Sequence, residues 1–212
     1  MKKINIGIVL IIIVIIALAI HIVTKEKTIK QDFNNIELVL NDYFKVYNKY
    51  SLLPEDDRDI TKSIDEKKYN SYLSDLKKDL SNFVLDEFQD SFFNTYKKRL
   101  DEQVLGQYMS KEYTKEITNI GSKNYNDGYF IFNLDIKITV NKDKRISPIF
   151  NEETGRYVGD IKQQIGVDTT KESIIFKKVD NEYKIVYHGI IDPTIFNFEM
   201  DIPGGGLWQI QY

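Results

Sequence analysis

The chain has 212 residues, no cysteine and a formal charge of −3 at pH 7. Disulfides, thiolate chemistry, cysteine metal sites and lipidation at a cysteine are excluded. The acidic balance argues against direct nucleic-acid binding, which requires a basic footprint.

The first 24 residues set the reading of the whole chain. Lys2 and Lys3 precede an apolar run from Ile4 to Val23 that only Asn5 and His21 interrupt. Roughly 20 apolar residues at about 1.5 Å rise span a hydrocarbon core of about 30 Å, so residues 1–24 are expected to be a transmembrane anchor. Ala17-Leu18-Ala19 also matches the small-residue cleavage pattern of a signal peptide, but apolar residues continue through it to Ile22 and Val23, which favours an uncleaved anchor. Lys25, Lys27 and Lys30 follow the run, which by charge alone favours an inward C-terminus; the very short N-terminal tail and the large following domain favour export. The expectation is a single-pass protein of the bacterial cytoplasmic membrane with its C-terminal domain outside the cytoplasm. The Lys-, Ile-, Asn- and Tyr-rich composition resembles that of AT-rich bacterial genomes.

Residues 25–32 read as a juxtamembrane linker and residues 33–192 as one domain, long enough to bury a core. Phe33, Ile36, Leu40, Tyr43, Tyr47 and Tyr50 recur at spacings of three and four, the stripe of an amphipathic helix ended by Leu53-Pro54. Tyr43 and Tyr47 are also candidates for pairing with a second copy, although the seam is shorter than a coiled coil requires. Glu55 to Asp59 reads as a charged, solvated loop without the glycine and final glutamate of a calcium loop.

Ser63-Ile64-Asp65-Glu66 is a capping-box pattern, predicting a helix with Tyr69, Tyr72, Leu73, Leu76 and Leu80 on its apolar face. A break near Ser81-Asn82 leads into a longer helix carrying Val84, Phe88, Phe92, Tyr96, Leu100 and Val104. Ser110 is expected to cap a short further helix with Tyr113 and Ile117, stopped at Gly121.

After Asp127-Gly128 the period changes to two. Phe130, Phe132, Leu134, Ile136, Ile138 and Val140 alternate with more polar residues, which predicts a strand over 129–140 with one face in the core. A turn is expected at 141–144, where Lys142, Lys144 and Arg145 surround Asp143, then strands over 146–150, 157–167, 171–179 and 183–191. Turns fall at Glu153-Thr154-Gly155 and Asp180-Asn181-Glu182. Loops this short require antiparallel pairing.

The fold class is therefore α+β: an N-terminal transmembrane helix, then helices packed on a curved antiparallel sheet. The helices ending near Tyr113, the long strand from Tyr129 to Val140 and the hairpin around Asn181 resemble the layout of the NTF2-like, or cystatin-like cone, superfamily. Behind a single anchor, that layout is similar to VirB8-type assembly proteins of bacterial conjugation and type IV secretion machines. The resemblance implies a non-catalytic scaffold whose partners are the membrane, other membrane-complex proteins and a further copy of itself, with no cofactor. The superfamily's other use, a small-molecule or catalytic cone pocket, is the alternative, and an envelope immunity or stress protein is a third.

His188 is the one histidine outside the anchor. With Tyr187 and Tyr183 it forms the candidate pocket set, though Tyr183, Ile185, Tyr187 and Ile191 alternate with Lys184, Val186, His188 and Ile190 in a way that leaves the core-facing set open. A single imidazole makes no catalytic constellation, and no hydrolase, phosphate-loop or metal motif is present. Residues 193–212 form an apolar tail interrupted by Pro193 and by Pro203-Gly204-Gly205-Gly206. It is expected to pack back over its own domain, covering a sheet edge or filling the cone. Otherwise Leu207, Trp208, Ile210 and Tyr212, on a strand-like alternation, are candidate contacts for a partner's sheet edge or a membrane interface.

Overall fold

The computed structural model describes the backbone of residues 6–190 except residue 60, and side chains from residue 12 onward. The elements in chain order are α1 (Ile6–Lys49), a 3-10 turn (Glu55–Arg58), α2 (Glu66–Ser81), α3 (Asp86–Val104), β1 (Tyr108–Asn126), β2 (Tyr129–Arg145), β3 (Ile149–Asn151), β4 (Arg156–Val158), β5 (Ile161–Val179) and β6 (Glu182–Gly189). Two compact units are present, residues 1–38 and 39–212.

In the first unit the chain is helical from Ile6 onward. The expected linker over 25–32 is part of this helix, because no glycine or proline falls between Thr24 and Lys49. Among the described residues no helix is long and apolar enough to cross a membrane. The predicted span starts at Ile4, so its opening lies outside the described residues, as does the tail with Leu207, Trp208, Ile210 and Tyr212.

The second unit holds helices on one face of a four-stranded sheet ordered β1-β2-β5-β6, antiparallel throughout. Phe130, Phe132, Leu134 and Ile136 are buried with Ile174, Phe176 and Ile185, and Phe132 meets Phe176 edge-on at 5.7 Å. Their alternation is the one read from the sequence. On the opposite face Ile131, Ile175 and Val186 pack with Leu85, Phe88, Tyr129 and Tyr187. The chain between α2 and α3 bonds to β6, with the Leu85 amide donating to Ile185 at 3.0 Å and the Ile185 amide to Phe83 at 2.7 Å.

Several expectations are corrected. The helix expected after Ser110 is strand β1. Three register irregularities, at Ser110/Glu112, Ile117/Asn119 and Ile120/Ser122, break the two-residue period that would have revealed it. Strand β2 runs through the expected turn at 141–144, whose charges lie on paired strand. The strands expected at 157–167 and 171–179 are β4 and one continuous β5, which is polar around Asp168 because that stretch is exposed rather than looped. Helix α2 is capped by Asp65, whose carboxylate accepts from the Lys67 and Lys68 amides, while the Ser63 hydroxyl donates to the Glu153 carbonyl at 3.3 Å. The 55–59 loop is partly interior, with Asp57 buried.

That loop is held by Arg156, 1% exposed. Its guanidinium donates to the carbonyls of Asp57, Asp59 and Lys62 through one terminal nitrogen and to Gln103 through the other. Arg156 is placed there by Gly155, at φ 68°, and by close apposition of Tyr157 to Gly106, where an added Cβ would sit 2.7 Å from the Tyr157 carbonyl oxygen. Arg156→Ala strands several buried carbonyls and is expected to cost about 3 kcal/mol in urea unfolding. Arg156→Lys should recover little, because an ammonium cannot reproduce the planar fork.

Candidate functional site

The helix-facing side of the sheet carries a buried polar chain. Glu172 and His188 lie on β5 and β6 in the inward phase of Ile174 and Phe176, and Lys115 joins from β1. Lys115 Nζ donates to Glu172 Oε1, and His188 Nε2 lies 2.7 Å from Glu172 Oε2. His188 Nδ1 lies 2.8 Å from the Tyr43 hydroxyl on α1, which accepts from the Tyr96 hydroxyl on α3 at 3.3 Å. The side chains of Lys115, Glu172 and His188 are 3%, 4% and 7% exposed, and Tyr43 and Tyr96 are buried.

Around this line, Arg99 donates to the Tyr47 hydroxyl at 2.8 Å and stacks over the Tyr47 and Tyr96 rings at 4.9 and 5.0 Å. Asn48 pairs both backbone groups of Lys115: its Nδ2 donates to the Lys115 carbonyl at 2.9 Å and its Oδ1 accepts from the Lys115 amide at 2.8 Å. The carboxamide thus stands where a further strand would pair with β1.

The charge state follows from burial and neighbours. Burial pushes the His188 imidazole below its ordinary value of 6.5, and this outweighs the hydrogen bond and charge of Glu172, with Lys115 and Arg99 working in the same direction as burial. A protonated imidazole would be a third cation against one carboxylate. His188 is therefore neutral, donating from Nε2 to Glu172 and accepting at Nδ1 from Tyr43. Burial works to raise the Glu172 carboxyl, but the His188 hydrogen bond and the Lys115 ammonium overcome it and hold the group down at about 2. Burial pushes the Tyr43 and Tyr96 hydroxyls well up, so both remain donors.

Chemically this is a saturated relay with Glu172 as its acceptor. Both imidazole nitrogens are engaged, and rings of Tyr43, Phe44 and Tyr47 surround His188 at 5.5–5.8 Å. Two grooves lie elsewhere. One, of about 590 Å³, is lined by α2 and α3 residues including Lys77 and Phe93; the other, of about 430 Å³, lies between Ser63, Tyr69 and Arg156. Among the described residues no cluster of His, Asp and Glu could hold a metal ion.

The sequence-derived pocket set is divided by the sheet. His188 faces the helices; Tyr187, paired with Ile175, faces the other side; Tyr183 packs on Phe130 at 6.0 Å. A bulge between Ile175 and Phe176, leaving Val186 extra on β6, flips the strand's phase. Tyr43 and Tyr47, candidates for contact with a second copy, are core residues of their own unit, 0% and 2% exposed. Lys115 and Glu172 were missed. Glu172 carries a signal, a carboxylate in the core-facing phase of Ile174 and Phe176; Lys115 carries none, because the irregular period of β1 reads as helical.

No family model matches the chain, and no curated protein matches it. Among solved structures the chain is similar to an NTF2-like superfamily protein from Salmonella enterica subsp. enterica serovar Typhimurium str. LT2, at 12% identity, covering 77% of this chain and 94% of that one, with a TM-score of 0.37.

Glu172→Gln leaves the Lys115 ammonium buried without a counter-charge and is expected to cost about 3–5 kcal/mol by denaturant unfolding, with Lys115→Met on top recovering part of it. Acid should destabilise the fold in two steps. Because folded His188 holds its proton less tightly than the ordinary 6.5, its contribution is complete above that value and is lost as pH falls below it. Glu172, held from 4.5 down to about 2, contributes above 4.5, and that contribution is lost as pH falls towards 2. Tm measured against pH should fall first below 6.5, and His188→Gln should flatten that first step.

Proposed function

We propose that this protein is a single-pass bacterial membrane protein whose C-terminal unit lies outside the cytoplasm and acts by binding other proteins, without catalysis, in an envelope assembly of the kind VirB8-type subunits exemplify. The observation that carries the anchor is the surface of α1. Between Ile12 and Val23 every large aliphatic side chain is at least half exposed, from 50% at Ile12 to 64% at Val23, and no charged residue interrupts them. Full burial of each such side chain is worth about 1.5–3 kcal/mol, so an apolar environment all round the helix is strongly favoured over water. A bilayer supplies that environment. The run continues into Ile4–Ile11 in sequence, which brings it to the length a span requires.

The non-catalytic reading rests on the saturation of the one histidine centre. Its groups are sequestered beneath aromatic rings and hydrogen-bonded to each other, which suits a structural core and leaves no position for a reacting atom beside the imidazole.

The full-length protein should sediment with membranes and resist carbonate extraction, whereas a chain starting at Thr24 should not; a soluble full-length protein would overturn the anchor. Crosslinking pull-down from native membranes should recover a defined set of membrane proteins with wild type and with His188→Gln alike. Loss of those partners in a His188→Gln protein of normal stability would point instead to a working site in the cone.

A further inference from the structure

The sheet has two edges on the β6 side, and they are treated differently. The outer edge of β6 is bonded by Phe83–Leu85. β6 pairs with β5 only over Ser173–Val179, so β5 from Ile161 to Glu172 has β2 on one side and no strand on the other among the described residues. An open edge of this length is a template for another strand.

From this edge and its charge pattern we infer that β5 is a self-association surface, pairing antiparallel with β5 of a second copy about a two-fold axis at Ile165, with each Lys162 opposite the partner's Asp168. Alternation supports it. Ile161, Ile165 and Val167 stand on one face at 49%, 72% and 65% exposure, and the two-fold register brings Ile165 against Ile165 and Val167 against Gln163. On the other face it sets Lys162 against Asp168 twice, both exposed in the single chain. Shifting the axis to residue 162 or 168 would place like charges opposite each other, so the ion pairs select the register more than they add affinity. The same surface on both copies makes the interface isologous and closed, which is what an exposed edge needs if it is not to propagate. Gly166, where an added Cβ would meet nothing within 4 Å, leaves the middle of the edge open to a neighbouring backbone. The inference deepens the protein-binding reading by naming one partner, the chain itself, and does not depend on the anchor.

The absence of cysteine permits a direct test on the full-length protein in native membranes. Ile165→Cys should form a disulfide-linked dimer on mild oxidation, because directly opposed residues of an antiparallel pair have Cα atoms about 5.5 Å apart, within disulfide reach. Ile146→Cys, 61% exposed against 72% at Ile165 but away from the axis, should give a several-fold lower yield. In the Ile165→Cys background, Lys162→Asp and Asp168→Lys should each abolish the crosslink, and co-expression of the two should restore it as a heterodimer. A crosslink at 165 no stronger than at 146, or one indifferent to charge reversal, would overturn the inference. So would a yield that rises only when residues 191–212 are deleted, which would assign the edge to the chain's own tail. Membrane sedimentation of the same samples reads the anchor separately.

Discussion

The second unit is organised around one buried ion pair. Lys115 and Glu172 are withdrawn from water on the same face of the sheet, reaching each other from β1 and β5 across the intervening β2, and burying two charges is tolerable only when their remaining hydrogen-bonding capacity is met. Glu172 therefore requires a donor at its second oxygen, which is His188; neutral His188 requires a donor at Nδ1, which is Tyr43; and the Tyr43 oxygen is met by Tyr96. Each requirement recruits another element, until α1, α3, β1, β5 and β6 are joined. Such a chain contributes less net stability than an apolar core of the same volume, and its effect is to fix how the elements dock.

The C-terminal end of α1 illustrates that effect. Tyr43 and Asn48 are separated by about 7.5 Å along the helix axis, and they reach His188 on β6 and the Lys115 backbone on β1 respectively. Against a sheet face of Phe132, Phe176, Ile136 and Ile174 alone, a helix bearing Leu40, Phe44 and Tyr47 has several acceptable positions, since apolar contact is non-directional. Two hydrogen-bonded points on the two outermost strands, β1 and β6, leave one. Tyr43 and His188 are engaged with each other in setting that position.

Away from this network the sheet changes character. Near Ile131 and Ile175 it is covered on both faces, while β5 from Ile161 to Thr169 is exposed on both. Among the described residues the second unit therefore has a closed, hydrogen-bonded centre and an extended strand that no further strand pairs over Ile161–Glu172.

Legibility in the sequence followed the regularity of each element. Strand β2 was readable over Phe130–Ile136 because its core-facing positions alternate without a break, and α2 because Tyr69, Leu73, Leu76 and Leu80 keep a helical stripe. Strand β1 was not, since its three irregularities shift the phase before alternation accumulates. β6 reads as a strand from its alternation, but the bulge at Val186 conceals that His188 shares a face with Ile185 rather than with Val186. The tyrosines of α1 were seen as one stripe, and nothing in their spacing distinguishes a stripe that faces a partner from one that faces its own sheet.

The sequence by itself determined the apolar N-terminal run, the α+β class, the antiparallel pairing implied by short connections, and the exclusion of cysteine chemistry, because each depends on composition or on periodicity within one segment. Tertiary structure decided which polar groups meet. Residues 43, 96, 115, 172 and 188 lie on five elements, and their convergence depends on strand register, a bulge and helix docking, none of which local pattern encodes. It also decided where β6 ends along β5, since the ending of β6 opposite Ser173 is a property of pairing between strands and not of either strand alone.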